Sequence, residues 1–169
     1  MLTLRLALAF LFVSVLMADQ HSVDADENAD FTQFHSFNIR QAAINSKKPE
    51  LNSPIVKQRI GDAIREQLTA KGLQAGAQPP DLVVNFRFGA ADKREVESWP
   101  VGRWGRGRAY DVNRFTEGTL VIDIMDREGR NLVWRGIYTD DEKDATKLAK
   151  KLTEDVKKLF EEYPPKKKK

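Results

Sequence analysis

Residues 118–138, GTLVIDIMDREGRNLVWRGIY, decide the fold because they have the pattern of two β-strands joined by a tight turn. From Leu120 to Ile124 every second residue is a large aliphatic one, which is the period of a strand with one buried face. The turn segment DREGR contains Gly129, where a positive φ is expected, and a second alternating run follows. The pattern predicts an antiparallel hairpin with Trp134 in the core, on the same face as Leu132.

Two elements upstream of the hairpin are also well marked. Ser53 is a good N-cap and Pro54 suits the first helical position. Apolar residues then follow at helical spacing, which predicts an amphipathic helix over 54–71 that stops at Gly72. After a proline pair, apolar residues alternate through DLVVNFRF, which predicts a strand over 81–88.

The ends of the chain supply the remaining elements. Phe37 and Ile39 alternate with polar neighbours as in a short half-buried strand, and residues 40–53 are polar and irregular. A final apolar stripe, ended by a proline pair, predicts a second amphipathic helix capped by Asp140 or Asp141.

The order strand–helix–strand–strand–strand–helix predicts an α+β fold. We expect a two-layer sandwich in which a mixed or mainly antiparallel sheet carries both helices packed on one face. The 169 residues contain no internal repeat and suit a single domain, for which we predict the bounds 19–165. A hydrophobic content of 41% with 31% charged residues is that of an ordinary globular protein.

Residues 1–18 have the layout of a secretory signal peptide. A short segment with one positive charge, Arg5, precedes the 13-residue apolar run Leu6–Ala18, and a polar segment follows at once. The apolar run is short for a membrane span, which favours cleavage after Ala18 and export to the periplasm as a soluble protein. The alternative is an uncleaved signal anchor, because Leu16 is larger than the residue preferred three positions before a cleavage site.

The absence of cysteine and the charge balance exclude several classes of protein. Without cysteine there is no thiolate nucleophile, no Cys-type zinc site and no lipid-bearing cysteine at the cleavage site. Loss of residues 1–18 leaves 27 basic against 25 acidic residues, and the polybasic tail 166–169 supplies four of the positive charges. The body of the domain is therefore slightly acidic, which argues against a nucleic-acid-binding protein.

No set of residues has the full pattern of a catalytic, cofactor or metal site. His21 and His35 are the only histidines, and no Ser-His-Asp triad can be assembled around either. The alternating acidic residues from Asp24 to Asp30 lack the glycine and the glutamate of a calcium loop, which favours a solvated segment. Asp123 and Asp126 can be read as paired carboxylates, yet Asp126 opens a turn, where aspartate is ordinary. We predict a non-catalytic protein; the alternative is an envelope hydrolase that uses two converging carboxylates.

The stretch WPVGRWGRGRAY, residues 99–110, lies in a long segment, 89–118, between the predicted strand and the hairpin. We expect a mobile loop there, since glycines are frequent and no apolar period is present. Arginines interleaved with aromatics suit a peripheral contact with an anionic envelope component such as lipid head groups or lipopolysaccharide. Another envelope protein is the alternative partner, whereas predicted export argues against nucleic acid. The candidate contact residues are Trp99, Arg103, Trp104, Arg106, Arg108 and Tyr110.

At ADFTQFHSF, GTLVIDIMDREGRNLVWRG and FEEYPP the chain resembles the bacterial domain of unknown function 4136 family, over about residues 22–165. The positions that carry the resemblance are Asp30-Phe31, Lys71-Gly72-Leu73, Gly118–Leu120, Asp123 and Val133–Gly136. The resemblance implies an envelope protein without an established activity, and many such proteins are lipoproteins. This chain differs because it lacks the lipobox cysteine and carries arginines in its middle segment. These features together favour a non-catalytic binding or assembly module of the periplasm that needs no cofactor.

We expect the mature protein to begin near Asp19 and to be soluble, because the apolar run before it is too short to span a membrane comfortably. N-terminal sequencing of material from the periplasmic fraction checks this. An intact Met1 in the membrane fraction would show instead that the segment is an anchor.

Overall fold

The computed structural model describes residues 20–101, 107–127 and 131–166. The strands are β1 (Gln20–Ala25), β2 (Ser36–Ser46), β3 (Gln74–Ala75), β4 (Leu82–Val101), β5 (Gly107–Asp126) and β6 (Leu132–Glu142). The helices are α1 (Pro54–Ala70) and α2 (Ala145–Phe160), and a short 3₁₀ turn spans Phe31–Gln33. The predicted signal peptide at 1–18 and the tail residues 167–169 lie outside the described residues.

The strands form one mixed sheet in the order β1-β6-β5-β4-β2-β3. The pairs β1–β6, β6–β5 and β5–β4 are antiparallel, whereas β2 runs parallel to both β4 and β3. The crossover from β2 to β4 contains α1, and α2 follows β6. Both helices and one face of the sheet contribute to a single buried core, which confirms the predicted α+β two-layer sandwich.

Helix α1 forms where its capping residues predict it. Ser53 Oγ accepts a hydrogen bond from the backbone N–H of Ile55 at 3.2 Å, and Pro54 occupies the first turn. Gly72, at φ +93°, follows the helix in the left-handed conformation that glycine adopts without a steric penalty. The buried stripe consists of Val56, Ile60, Ala63, Ile64 and Leu68.

Helix α2 begins later than predicted, and the predicted caps Asp140 and Asp141 are wrong. The cap is Asp144, whose Oδ1 accepts a hydrogen bond from the backbone N–H of Thr146 at 2.8 Å. This bond lowers the pKa of the Asp144 carboxyl. Asp140 and Asp141 still belong to β6 because β6 remains paired with β5 there. Within the described part of the chain, no helix has the length and apolar character needed to cross a membrane.

Strand β2 is longer than predicted, and the expectation of an irregular segment over 40–53 is wrong for residues 40–46. The register between β2 and β4 shifts at Arg40, which marks a β-bulge. A bulge inserts one residue into the alternation of faces, so it breaks the two-residue period that reveals a strand in a sequence. Residues 20–25 also form a strand, β1, where the sequence predicts a solvated acidic segment.

The centre of the core is an aromatic cluster around Trp134. The indole is fully buried, stacks on Phe160 at 5.2 Å between ring centroids and meets Tyr163 edge-on at 5.7 Å. Tyr163 in turn contacts Phe31 edge-on at 5.6 Å, and burial raises the pKa of its hydroxyl. Gly136 leaves room for the indole, because a Cβ there would lie 2.5 Å from Trp134 Cη2. Tyr163, in the segment after α2, thus packs on the aromatic cluster to which β6 contributes Trp134.

The expectation that Leu132 and Trp134 share a face is wrong, although the predicted burial of Trp134 is confirmed. Leu132 is 37% exposed, whereas Val133 and Trp134 are both buried. The register between β5 and β6 shifts between Ile124, which opposes Trp134, and Met125, which opposes Leu132. A bulge therefore separates the two residues and reverses the alternation between them.

Replacement of Trp134 by alanine is expected to lower the free energy of unfolding by about 3–5 kcal/mol, because it removes a fully buried aromatic ring and leaves a cavity. Leu132→Ala is the matched control in the same strand, and its exposure should keep the loss below about 1 kcal/mol. Chemical denaturation of both variants measures the difference. Equal losses would show that the indole does not dominate the core.

Candidate interaction site

Strands β4 and β5 continue beyond the rest of the sheet as a two-stranded arm. β2 pairs with β4 only as far as Ala90, and β6 pairs with β5 only from Thr116 onwards. The β4–β5 ladder nevertheless runs without a register shift to its outer end. We call residues 91–101 and 107–115 the arm. At roughly 3.3 Å per residue, it projects about 33 Å from the body.

The expectation of a loop over 89–118 is wrong for residues 89–101 and 107–118, which are strand. A strand is recognised in a sequence by its apolar face, and none of the described arm residues belongs to the core. Of the candidate contact residues, Trp99 lies in β4, Arg108 and Tyr110 lie in β5, and Arg103, Trp104 and Arg106 lie outside the described residues.

The root of the arm is held by two ion pairs. Lys48 Nζ, just beyond β2, lies 2.9 Å from Asp92 Oδ1, and Lys93 Nζ lies 3.1 Å from Glu117 Oε1. Thr116 is buried, and its Oγ1 donates to the same oxygen of Asp92 at 3.4 Å. The hydrogen bond from Lys48 lowers the pKa of the Asp92 carboxyl. Both strands of the arm are therefore anchored at the point where they leave the body.

A depression of about 610 Å³ lies beside this root, and Asp92 and Glu117 are the carboxylates that line it. Hydrolysis by a carboxylate pair needs one group that holds a proton while the other is ionised. A lysine is paired with each of these carboxylates, and the pKa of Asp92 is lowered rather than raised. The chemistry of the depression is that of a structural ion-pair site.

One face of the arm presents exposed arginine and valine side chains. Arg94 is the cross-strand partner of Arg114, and Val96 is the partner of Val112. Positions two apart on a strand share a face, so the two pairs lie side by side. Val96 is 61% and Val112 47% exposed, and the ion pairs among the described side chains leave both arginines out. We call these four residues the arginine–valine face.

Arg94 and Arg114 are not recognisable as a pair in the sequence, because nothing brings them together until the register is known. They stand twenty positions apart, and like charges directly opposite each other in a sheet are unfavourable by roughly 0.2–1 kcal/mol. One feature of the sequence does predict this pair, once a hairpin is assumed. Every pair of this ladder is symmetric about position 104, so a hairpin centred on the glycine-rich stretch pairs Arg94 with Arg114. The arm thus sets two exposed arginines opposite each other, and the ion pairs among the described side chains include neither of them.

The uncovered face of the sheet body carries a row of charges that balance one another. Asp123 is 7% exposed; it accepts a 2.6 Å hydrogen bond from Arg135 Nε, and Arg87 lies 3.4 Å from its other oxygen. The bond to Asp123 raises the pKa of Arg135, and Asp24 on β1 contributes in the same direction. Two arginines are matched by two aspartates, so this row offers no net charge to a ligand.

The histidines and the N-terminal acidic residues have separate local partners in the structure. His21 Nε2 lies 3.1 Å from Glu162 Oε1, whereas the backbone N–H of His35 donates to Asp81 Oδ2 at 2.9 Å. The acidic residues from Asp24 to Asp30 belong to β1 or make local hydrogen bonds. Among residues 20–101, 107–127 and 131–166, no cluster of three or more His, Cys, Asp or Glu could hold a metal ion.

Asp123 and Asp126 do not converge. They are three positions apart in β5, which places them on opposite faces of the strand. The Asp126 carboxylate accepts a hydrogen bond from the backbone N–H of Asn131 at 3.0 Å and so closes the turn. The carboxylate pair that the hydrolase alternative requires is not formed by these two residues.

Comparison of families agrees with the resemblance found in the sequence. A family model described as Domain of unknown function (DUF4136) matches residues 21–165. The chain therefore belongs to the DUF4136 family, which confirms the resemblance. No curated protein matches the chain.

The same fold occurs in solved bacterial proteins of low sequence identity. A DUF4136 family protein from Bacteroides thetaiotaomicron is 20% identical with a TM-score of 0.57, and the match covers 86% of this chain and 96% of that one. A PDZ domain protein from Parabacteroides distasonis is 16% identical with a TM-score of 0.61; the match covers 89% of this chain but only 36% of that one. A homolog of neuraminyllactose-binding hemagglutinin from Helicobacter pylori is 13% identical with a TM-score of 0.53, over 85% and 94% of the two chains. At these identities the shared property is the fold.

Asp123→Asn is expected to lower the free energy of unfolding by about 1.5–3 kcal/mol, because the hydrogen bond from Arg135 loses its charged acceptor at a nearly buried position. Arg87→Gln is the control in the same row. The Arg87 side chain is 62% exposed and its contact is long, so its loss should be below about 1 kcal/mol. Urea denaturation measures both. A larger loss for Arg87→Gln would contradict the assignment of Asp123 and Arg135 as the dominant pair.

Proposed function

We propose that this protein is an exported, non-enzymatic binding module of the bacterial cell envelope whose arm contacts an anionic envelope surface. The observation that carries the proposal is the arginine–valine face, where Arg94 and Arg114 stand exposed and opposite each other. The predicted signal peptide supports an envelope location, as does membership of the DUF4136 family, since the resemblance to it implies envelope proteins.

The composition of this face suits lipid head groups. A guanidinium group donates several hydrogen bonds in a fixed plane and pairs well with phosphate. An arginine near an anionic membrane contributes about 1 kcal/mol to binding. The adjacent Val96 and Val112 add apolar area of the kind that enters the boundary between head groups and acyl chains. The arginine and valine side chains therefore lie together on the arm, away from the body of the domain.

The sequence at the outer end of the arm extends the same chemistry. Aromatic residues with a polar edge favour the membrane interface, and arginines between them favour anionic head groups. The residues concerned are Trp99, Arg103, Trp104, Arg106, Arg108 and Tyr110. The lysines 166–169 form a second basic segment, which follows the domain, and are the competing contact.

Replacement of Arg94 and Arg114 together by serine is expected to weaken binding to vesicles that contain phosphatidylglycerol by roughly 30-fold, from about 1 kcal/mol per arginine. The free energy of unfolding should not fall, because the change removes a like-charge pair. Co-sedimentation with vesicles measures the binding. High salt should reduce the difference between the parent and the variant, because exposed charges are screened.

Lys57→Ser with Lys150→Ser is the charge-matched control, because both lysines are exposed and lie on the helices. Serine at Arg103, Arg106 and Arg108 tests the arginines of the glycine-rich stretch separately. Equal weakening by the lysine control would mean that net charge rather than the arm governs binding, and would contradict the proposal. Binding that falls only when residues 166–169 are removed would assign the contact to the lysine tail instead.

A further inference from the structure

The outer edge of β5 in the arm is an open strand edge. In the described part of the chain, β5 pairs with β4 from Gly107 to Phe115 and has no strand on its other side, since pairing with β6 begins at Thr116. Backbone N–H and C=O groups along such an edge can form hydrogen bonds with a further strand. A two-stranded ribbon is marginally stable in water, and a third strand stabilises it. The arm is therefore able to accept a strand.

The free edges of β4 and β2 are less suited to a further strand. The outer edge of β4 contains Pro100, which has no amide hydrogen, and its root is occupied by the ion pair between Lys48 and Asp92. The edge of β2 beyond its short pairing with β3 is interrupted by the bulge at Arg40. The segment 107–115 of β5 has neither a proline nor a register shift.

We propose that a second copy of this chain pairs with this edge, so that residues 109–115 of the two β5 strands form an antiparallel ladder centred on Val112. This register sets Val112 against its own counterpart, Asp111 against Asn113, and Tyr110 against Arg114. A pair of β-branched residues and a pair of arginine with an aromatic residue are both favourable across strands. The ladder ends at 115 because β6 occupies the edge from there on.

The registers centred on Asp111 and on Tyr110 are less favourable. A ladder centred on Asp111 sets that aspartate against itself and Arg108 against Arg114, so like charges oppose one another. A ladder centred on Tyr110 sets Gly107 against Asn113, and both residue types are depleted in strands. The self-complementary register about Val112 avoids both penalties, which is what an isologous two-fold interface requires.

The two-fold axis of this dimer is perpendicular to the ribbon, which then has the strand order β4-β5-β5-β4. Such an axis keeps the arginine–valine faces of both copies on the same side. Pairing uses the backbone edge and leaves that face exposed. The inference goes beyond the proposed function and does not depend on it, since vesicle binding by a monomeric protein would leave the function in place and remove the dimer.

Single-cysteine variants test the pairing directly, because the chain has no cysteine of its own. In the proposed dimer the two Val112 Cα atoms lie about 4.5–5.5 Å apart, within the roughly 4.4–6.8 Å spanned by a disulfide. The two Val96 Cα atoms lie three strand spacings, about 14 Å, apart. Under mild oxidation Val112→Cys should therefore form a covalent dimer roughly tenfold faster than Val96→Cys. Val96 is the more exposed residue, 61% against 47%, so random collision predicts the reverse order.

Sedimentation velocity provides the second measurement. The parent chain is expected to dimerise as its concentration is raised. Val112→Lys should remain a monomer because two lysines would oppose each other at the centre of the ladder, whereas Val96→Lys should still dimerise. Far-UV circular dichroism shows that each variant keeps its fold. A parent chain that stays monomeric, a dimer that survives Val112→Lys, or equal cross-linking at 96 and 112 would each overturn the proposal.

Discussion

The arm exists because a helix and a strand of similar residue count differ greatly in length. The 17 residues of α1 rise about 25 Å, whereas the 20 residues of β4 span about 65 Å. A layer of two such helices covers only the inner part of β4 and β5. Beyond Ala90 and Thr116 the two strands have lost their other neighbours in the sheet and contribute nothing to the core. The projection follows from the dimensions of the two layers.

This geometry separates the residues that stabilise the domain from those available for binding. The stacked contact of Trp134 with Phe160 ties β6 to α2, and Tyr163 joins the end of the chain to the same cluster. The arm takes part in none of these contacts within the described residues. Its unfavourable arginine pair is therefore tolerated at a small cost, while the same charges inside the body are neutralised, as in the row around Asp123.

The sequence predicts those parts of the fold whose signals are local or depend on burial. The N-cap Ser53, the stripe of α1 and the alternation around Leu120 mark their elements without knowledge of the rest of the chain. The cap of α2 could not be assigned because Asp140, Asp141 and Asp144 offer the same chemistry, and only the extent of β6 decides between them. The sequence predicts a loop for the arm because the arm contributes no described residue to the core and so lacks an apolar period. The candidate contact residues of 99–110 remain a prediction, and the pairing of Arg94 with Arg114 in the neighbouring strands depends on cross-strand register, which the sequence does not reveal.

The continuity of β4 and β5 constrains how this family can vary in length. Side chains alternate between the faces of a strand, so the core positions Phe88 and Leu120 determine which positions farther out share the face of Arg94. Insertion of one residue into each strand would turn every side chain beyond it to the opposite face. Insertion of two would preserve the faces and lengthen the reach. Relatives whose arms keep the same chemistry on the same side should therefore differ by even numbers of residues per strand, unless a bulge absorbs the odd one.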